Sequence, residues 1–126
     1  MSIVLDSGAL LAVEAGDRQR MARIKSEWLA GRVVVTHGGV IGQVWRGAGP
    51  RQALLSRALQ FVETVALDEE LGRRAGALLA ESGTSDVIDA AVVLLVGSGD
   101  EIHTSDPDDL EILARAAGAD VEIVPV

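Results

Sequence analysis

The sequence lacks cysteine and tyrosine altogether and has only one phenylalanine and two tryptophans in 126 residues. The absence of cysteine excludes disulfides and thiolate metal sites. Because aromatic residues are so scarce, the core must consist of valine, leucine, isoleucine and alanine, which suits close packing of helices on a sheet.

Membrane-directed segments are also missing from the sequence. No basic stretch followed by a signal-like apolar run opens the chain. The longest apolar run, residues 90–96, is far shorter than the roughly 20 residues that span a bilayer. We therefore expect a cytoplasmic protein without a membrane partner.

Positive charge is scarce in the second half of the chain. The net charge is −8, but residues 1–63 carry eight basic and five acidic side chains, whereas residues 64–126 carry three basic and fourteen acidic ones. This balance argues against indiscriminate binding to nucleic-acid phosphates. It is compatible with a nucleic-acid enzyme whose carboxylates hold a cation. The length predicts one domain, residues 1–126.

Short apolar strands alternate with helical patterns along the whole chain. The first strand, residues 3–5, is an unbroken apolar run, which is typical of a strand covered on both faces. Further strands are predicted at residues 32–36, 64–67, 101–104 and 121–124. Helices are predicted at residues 9–15, 18–30, 40–46, 51–62, 68–81, 86–96 and 105–117. The alternation predicts an α/β fold with a central five-stranded parallel sheet.

Aspartates recur where strands end or helices begin. Asp6 ends the first strand and Asp106 the fourth, while Asp86 opens the most apolar helix and Asp89 follows one turn later. Ligands in open α/β sheets bind beyond the carboxyl ends of the strands. Each aspartate also has a structural alternative: Asp6, Asp86 and Asp106 suit helix N-caps, and Asp109 suits a first turn.

Asp89 is the hardest of these residues to explain structurally. Its neighbours are apolar nearly all round, as in a buried helix. A buried carboxylate without a partner costs several kcal/mol, roughly, so Asp89 needs a cation, a hydrogen-bond donor or the wet end of the helix. Because only Arg115 follows residue 74 as a basic side chain, a divalent ion is the simplest partner. Oxygen-only ligands suit Mg²⁺ or Mn²⁺.

This constellation resembles the PIN-domain ribonucleases, in particular the VapC-type toxins of VapBC toxin–antitoxin systems. Residues 3–7 (IVLDS) look like the family's opening strand and first acid, residues 86–91 (DVIDAA) like its third-acid helix, and residues 104–110 (TSDPDDL) like its closing motif. The resemblance covers almost the whole chain. It implies a three-layer α/β/α fold and metal-dependent cleavage of single-stranded or loop RNA, often in a tRNA or a ribosomal RNA.

The resemblance also implies a role for individual residues. Asp6, Asp86 and Asp106 become the metal ligands, Asp89 and Asp109 supporting acids, and Ser7 and Thr104 donors that orient them. The implied partners are a VapB-type antitoxin and a second copy in a homodimer. An apolar helix stripe could serve that dimer or pack on the protein's own sheet; it comprises Leu55, Ala58, Leu59 and Val62.

Two positions depart from the family's pattern. Gly8 stands where the family usually has serine or asparagine. Residues 40–46 (VIGQVWR) match the second-acid helix, but the acid itself is replaced by Gln43. Gln43 motivates an alternative function, a catalytically weakened PIN domain that serves as an antitoxin-binding or decoy module.

Other classes of site find less support. A receiver-type signalling domain wants a lysine near the last strands, and none follows Lys25. His37 and His103 have no cysteine or serine partner pattern for nucleophilic catalysis, so we interpret both as structural or solvent-facing.

Overall fold

The computed structural model describes residues 2–47 and 49–126. A sheet of five parallel strands lies at its centre, in the order β3-β2-β1-β4-β5. The strands are β1 (Ile3–Leu5), β2 (Val34–His37), β3 (Glu63–Val65), β4 (Asp100–Thr104) and β5 (Val121–Pro125). The helices are α1 (Ser7–Glu14), α2 (Arg18–Leu29), α3 (Gly38–Val44), α4 (Ala53–Leu59), α5 (Glu69–Ser82), α6 (Val87–Val93) and α7 (Pro107–Ala117).

The helices form two groups that cover the sheet. α1 packs against α2, α3 and α4, whereas α5, α6 and α7 pack against one another. The predicted α/β class, the parallel five-stranded sheet and the three-layer arrangement are thus confirmed. No helix within the described ranges is long and apolar enough to cross a membrane.

β1 is the central strand and explains where a ligand site would form. Ile3, Val4 and Leu5 are buried, and β1 pairs with β2 on one side and β4 on the other. The chain runs from β1 to β2 and β3, then crosses to the opposite side of β1 to form β4. The crevice outside the carboxyl ends of β1 and β4 is therefore the switch point at which α/β sheets bind ligands.

Helix starts and stops follow from local chemistry. The side chains of Asp6, Asp17 and Asp68 accept hydrogen bonds from backbone amides in the first turns of α1, α2 and α5. α5 ends at Gly83, whose positive φ of 70° is accessible to glycine without a steric cost.

Several boundaries differ from those predicted. β2 occupies Val34–His37 rather than residues 32–36, and α6 ends at Val93 because tighter turns follow. α4 begins only after a 3₁₀ helix at Pro50–Gln52, since proline starts a new turn there. The predicted loop at residues 47–50 includes Ala48, which lies outside the described residues.

α4 uses its apolar stripe for the protein's own core. Leu55 and Ala58 are fully buried, and Leu59 and Val62 pack against the same core. Of the two uses expected for this stripe, internal packing is the one that the fold makes of it. Leu55 and Ala58 are therefore not accessible to a dimer partner.

Leu54 and Leu55 provide a matched pair for testing the orientation of α4. Leu55 is fully buried, whereas its neighbour Leu54 is 39 % exposed. We expect Leu55→Ala to lower the free energy of unfolding by about 2–5 kcal/mol, and Leu54→Ala by less than about 1 kcal/mol. Urea denaturation measures both; equal losses would contradict this packing of α4.

Candidate functional site

Asp6 is fixed at the carboxyl end of β1 by several backbone contacts. Its amide donates to the His103 carbonyl at 3.2 Å, and its Oδ1 accepts from the Ala9 amide at 3.1 Å. The Thr36 hydroxyl donates to the carbonyl of Leu5, the residue before Asp6, at 2.8 Å. Burial raises the pKa of the Asp6 carboxyl, and the charge of Asp106 acts in the same direction, against hydrogen bonds that lower it.

Thr104 links Asp6 to Asp106 across the ends of β1 and β4. The Thr104 side chain hydrogen-bonds the Asp6 carboxylate, which lowers the pKa of Asp6, and its Oγ1 accepts from the Asp106 amide at 2.9 Å. Asp106 occupies the N-cap position of α7, but its side chain makes no capping hydrogen bond. The Asp106 carboxylate therefore stays available to a ligand, and the capping role considered for it is not realised.

Three further aspartates line a cavity of about 200 Å³ beside α6 and α7. Asp86, Asp89 and Asp109 share it with Thr84, Ser85 and Leu113. Asp86 caps α6, with Oδ1 accepting from the Ile88 and Asp89 amides at 2.9 and 3.1 Å. Asp89 is half-buried near the helix start, so it lies at the wet end of α6 rather than deep in the core.

The five aspartates form one electrostatic unit, called here the acidic cluster: Asp6, Asp86, Asp89, Asp106 and Asp109. Burial raises the pKa of Asp89 to about 7, and the negative charges of the other four members add to this shift. The folded chain thus holds like charges together at the switch point. None of the five forms a salt bridge in the described part of the protein.

The chemistry of the acidic cluster fits a divalent cation. It offers only carboxylate oxygens, the ligands that Mg²⁺ and Mn²⁺ prefer, and the charge of a cation would offset the repulsion. Within residues 2–47 and 49–126, no three histidine, aspartate or glutamate side chains are already grouped tightly enough to hold one ion. The Asp106 side chain is exposed and makes no capping hydrogen bond, so it is not held away from a ligand.

Gln43 and Gly8 are the two positions that depart from the expected pattern. Gln43 is exposed on α3 and makes no hydrogen bond to the acidic cluster among the described residues. A Cβ added at Gly8 would lie 2.2 Å from Ser105 Oγ. The Ser105 side chain therefore fills the space that a side chain at position 8 would need.

His37 is buried and connects β2 to α6. Its Nε2 lies 2.9 Å from the Ile88 carbonyl and its Nδ1 accepts from the Gly39 amide at 3.0 Å. These partners assign the neutral Nε2–H tautomer. Burial lowers the pKa of His37, against the hydrogen bond to Ile88, which raises it. His37 thus holds the turn between Asp86 and Asp89 in place. Its position after a strand was the only sequence signal for this role.

The charged side chains of α2 are only partly exposed to solvent. Arg23 Nη2 contacts Glu101 Oε2 at 2.7 Å, and Arg23 Nε contacts Glu27 Oε1 at 3.1 Å. Arg32 donates to the other oxygen of Glu27, which is buried. His103 is buried between Arg20 and Glu101. The acids of this network are buried beneath partly exposed arginines, which the helical period of α2 did not indicate.

Comparison with protein-family models and with curated proteins finds no match for this chain.

The raised pKa of Asp89 generates a prediction about stability and pH. The pKa of Asp89 is about 7 in the folded protein and 3.8 ordinarily. As the pH rises, the Asp89 carboxyl therefore loses its proton at a lower pH in the unfolded chain than in the folded protein. In EDTA, the contribution of Asp89 to stability therefore falls as the pH rises from about 4 to about 7 and stays low above that range. We expect Asp89→Asn to raise the free energy of unfolding at about pH 8 more than at about pH 5.

Glu122 is the matched control for this measurement. It is exposed on the edge strand β5 and does not belong to the acidic cluster. Urea unfolding of the parent, Asp89→Asn and Glu122→Gln in EDTA compares the three. Equal pH profiles for Asp89→Asn and Glu122→Gln would show that the acidic cluster does not destabilise the metal-free fold.

Proposed function

We propose that this protein is a metal-dependent endoribonuclease of the PIN-domain type, acting as the toxin of a type II toxin–antitoxin system. One observation carries the proposal: five aspartates converge at the switch point of a parallel sheet, where burial and their mutual repulsion raise the pKa of Asp89. Asp6 and Asp86 cap helices, and Asp89 and Asp109 lie in first helix turns. These local roles do not require the five carboxylates to lie together, where their mutual repulsion is unfavourable.

Asp6, Asp86 and Asp106 would hold Mg²⁺ or Mn²⁺. When bound, the ion supplies Lewis-acid charge that polarises an RNA phosphodiester and activates water for its hydrolysis. Thr104 orients Asp6 and the start of α7 together. Asp89 and Asp109 add negative charge that favours the cation, and Ser7, which follows Asp6, is the other donor at this edge.

Partners belong to the same proposal. The likeness to VapC-type toxins implies a small VapB-type antitoxin, a homodimer and a tRNA or ribosomal RNA loop as substrate. These partners stay predictions. The α4 stripe is buried in the protein's own core, so a dimer would have to use another face.

Gln43 supports a second candidate, a catalytically weakened PIN domain that binds an antitoxin without efficient cleavage. An amide can offer its carbonyl oxygen to a metal but carries no charge and accepts no proton from water. Gln43 is exposed on α3, and no contact with another described residue explains why a glutamine occupies this position.

A cleavage assay separates the two candidates. We expect the parent chain to cut a loop-containing RNA with Mg²⁺ or Mn²⁺ and not with EDTA, and Asp106→Asn to abolish cutting. Gln43→Glu should raise the rate if residue 43 can add charge at the metal site. Glu122→Gln is the control for loss of a surface charge. Cleavage by Gln43→Glu alone would favour the weakened domain, and no cleavage by either would refute the ribonuclease.

Metal affinity tests the ligand set independently of activity. We expect Asp6→Asn and Asp106→Asn each to weaken Mn²⁺ binding at least about tenfold, which requires only about 1.4 kcal/mol. Calorimetric titration of Mn²⁺ measures this, with Glu122→Gln again as control. If Asp106→Asn binds Mn²⁺ as tightly as the parent, the three aspartates are not the ligands.

A further inference from the structure

The cations of the α1–α4 group fall into two sets. Arg20, Arg23 and Arg32 contact carboxylates of Asp17, Glu101 and Glu27. The other cations are exposed and form no ion pair within the described residues; they are Arg18, Lys25, Arg46, Arg51 and Arg57. Folding therefore leaves unneutralised positive charge on one side of a protein whose net charge is −8.

Trp45 and Arg46 present an aromatic ring and a cation side by side at the end of α3. Trp45 is 38 % exposed. Arg46 Nη1 donates to the Gly42 and Trp45 carbonyls at 3.1 and 2.8 Å. The buried side chain of Gln52 accepts from the Arg46 amide at 2.9 Å and donates to the Val44 carbonyl at 2.8 Å. The fold thus fixes this exposed pair on a rigid support.

The C-terminal end of α1 lies beside an apolar cavity of about 340 Å³ with a cation on its rim. Val13, Met21 and Leu54 supply the apolar lining and Arg18 the positive charge. Gln52 connects this region to the Trp45–Arg46 pair, because its Nε2 also donates to Glu14 at the end of α1, at 3.2 Å.

α1 joins these features to the acidic cluster. The helix begins directly after Asp6 and has eight residues, so its far end lies about 12 Å from the cluster. Leu11, midway along α1, is 46 % exposed. At the end of α1, Gln52 contacts both Glu14 and the Arg46 amide, and α2 begins nearby at Arg18. The exposed side of α1 therefore defines a path that starts at Asp6 and leads toward Trp45, Arg46 and Arg18.

We propose that this path, the α1 face, binds single-stranded RNA, with a base stacked on Trp45 and phosphates contacting Arg46 and Arg18. The inference rests on the proposed function, since it places the substrate of the acidic cluster. Stacking on aromatic rings combined with cations along the backbone is how proteins hold single strands without reading their sequence.

The charge distribution favours RNA binding at the α1 face over binding on the side formed by α5, α6 and α7. Residues 64–126, which form α5, α6 and α7, carry fourteen acidic and three basic side chains, and Arg73 and Arg115 are engaged by Glu69 and Glu111. That side repels phosphates, whereas residues 1–63, with eight basic and five acidic side chains, carry an excess of positive charge that attracts them. An acidic peptide would satisfy the cations as well, but an exposed indole at Trp45 followed directly by an exposed cation at Arg46 favours a partner with planar bases.

Binding of a labelled oligouridylate of about 12 nucleotides, measured by fluorescence anisotropy in EDTA, tests the α1 face without cleavage. We expect Trp45→Ala to weaken binding at least about fivefold. Arg46→Ala should weaken it and make the slope of log K against log salt shallower by about 0.7, the value for one phosphate contact on a single strand.

Two matched controls lie off the path. Trp28, 50 % exposed on α2, packs edge-to-face on Phe61, and Arg74 is exposed on α5 without an ion pair in the described residues. Trp28→Ala and Arg74→Ala should bind RNA within about twofold of the parent, and thermal melting verifies that every variant is folded.

The outcomes separate the α1 face from the proposed nuclease. If Trp45→Ala and Arg46→Ala bind like the controls, or the parent does not bind, the inference is overturned. It is equally overturned as an RNA site if a polyglutamate of matched charge competes as well as unlabelled RNA. If the variants behave as expected but no metal supports cleavage, the α1 face stands and only the proposed nuclease fails. If the parent cleaves RNA but the variants bind it unaltered, the nuclease stands and the α1 face fails.

Discussion

The pairing of β1 with a parallel neighbour on each side is the constraint on which the rest of the molecule depends. β1 has only three residues, yet both its edges are used, by β2 and by β4. Because both neighbours are parallel to β1, the residues that follow β1 and β4 emerge at one edge. Asp6 and Asp106 meet there although one hundred residues separate them in sequence. Hydrogen bonds from Thr36 to the Leu5 carbonyl and from the Asp6 amide to the His103 carbonyl hold this junction to its neighbours on both sides.

The same fold treats buried charge in two contrasting ways. Around α2, Glu27 is nearly inaccessible, and hydrogen bonds from Arg32 and Arg23 lower its pKa against the effect of burial. At the acidic cluster no cation is supplied by the described chain, and burial together with four neighbouring charges raises the pKa of Asp89. The chain thus compensates its buried carboxylates where they serve packing. Where it does not, either a proton on Asp89 or a cation from outside the chain can offset the repulsion, which is the physical reason to look for a ligand there.

The sequence predicted the fold better than the details of its site. Period and composition were enough for the strand–helix alternation, because buried parallel strands and amphipathic helices leave clear patterns. The five aspartates could be grouped because each follows a strand or opens a helix. By contrast, Glu27 and Arg23 fit a solvated helix face equally well by period, and only their contacts with Arg32 and Glu101 reveal that the acids are buried in an ion-paired network. The Ser105 side chain over Gly8 was also beyond reach, since it depends on how closely the β4–α7 turn approaches α1.

Charge asymmetry along the chain becomes asymmetry in space because each half of the chain builds one group of helices. Residues 1–63 form α1 to α4 and residues 64–126 form α5 to α7, so the two faces of the sheet carry excesses of opposite sign. The acidic cluster draws members from both halves and lies where these faces meet. A cation bound there would be attracted chiefly by carboxylates of the second half. The negative charge of the second half would repel an anionic strand, which would therefore approach over the helices of the first half. The net charge of −8 is therefore compatible with the proposed nucleic-acid substrate, which its uneven distribution would restrict to an approach over the first half of the chain.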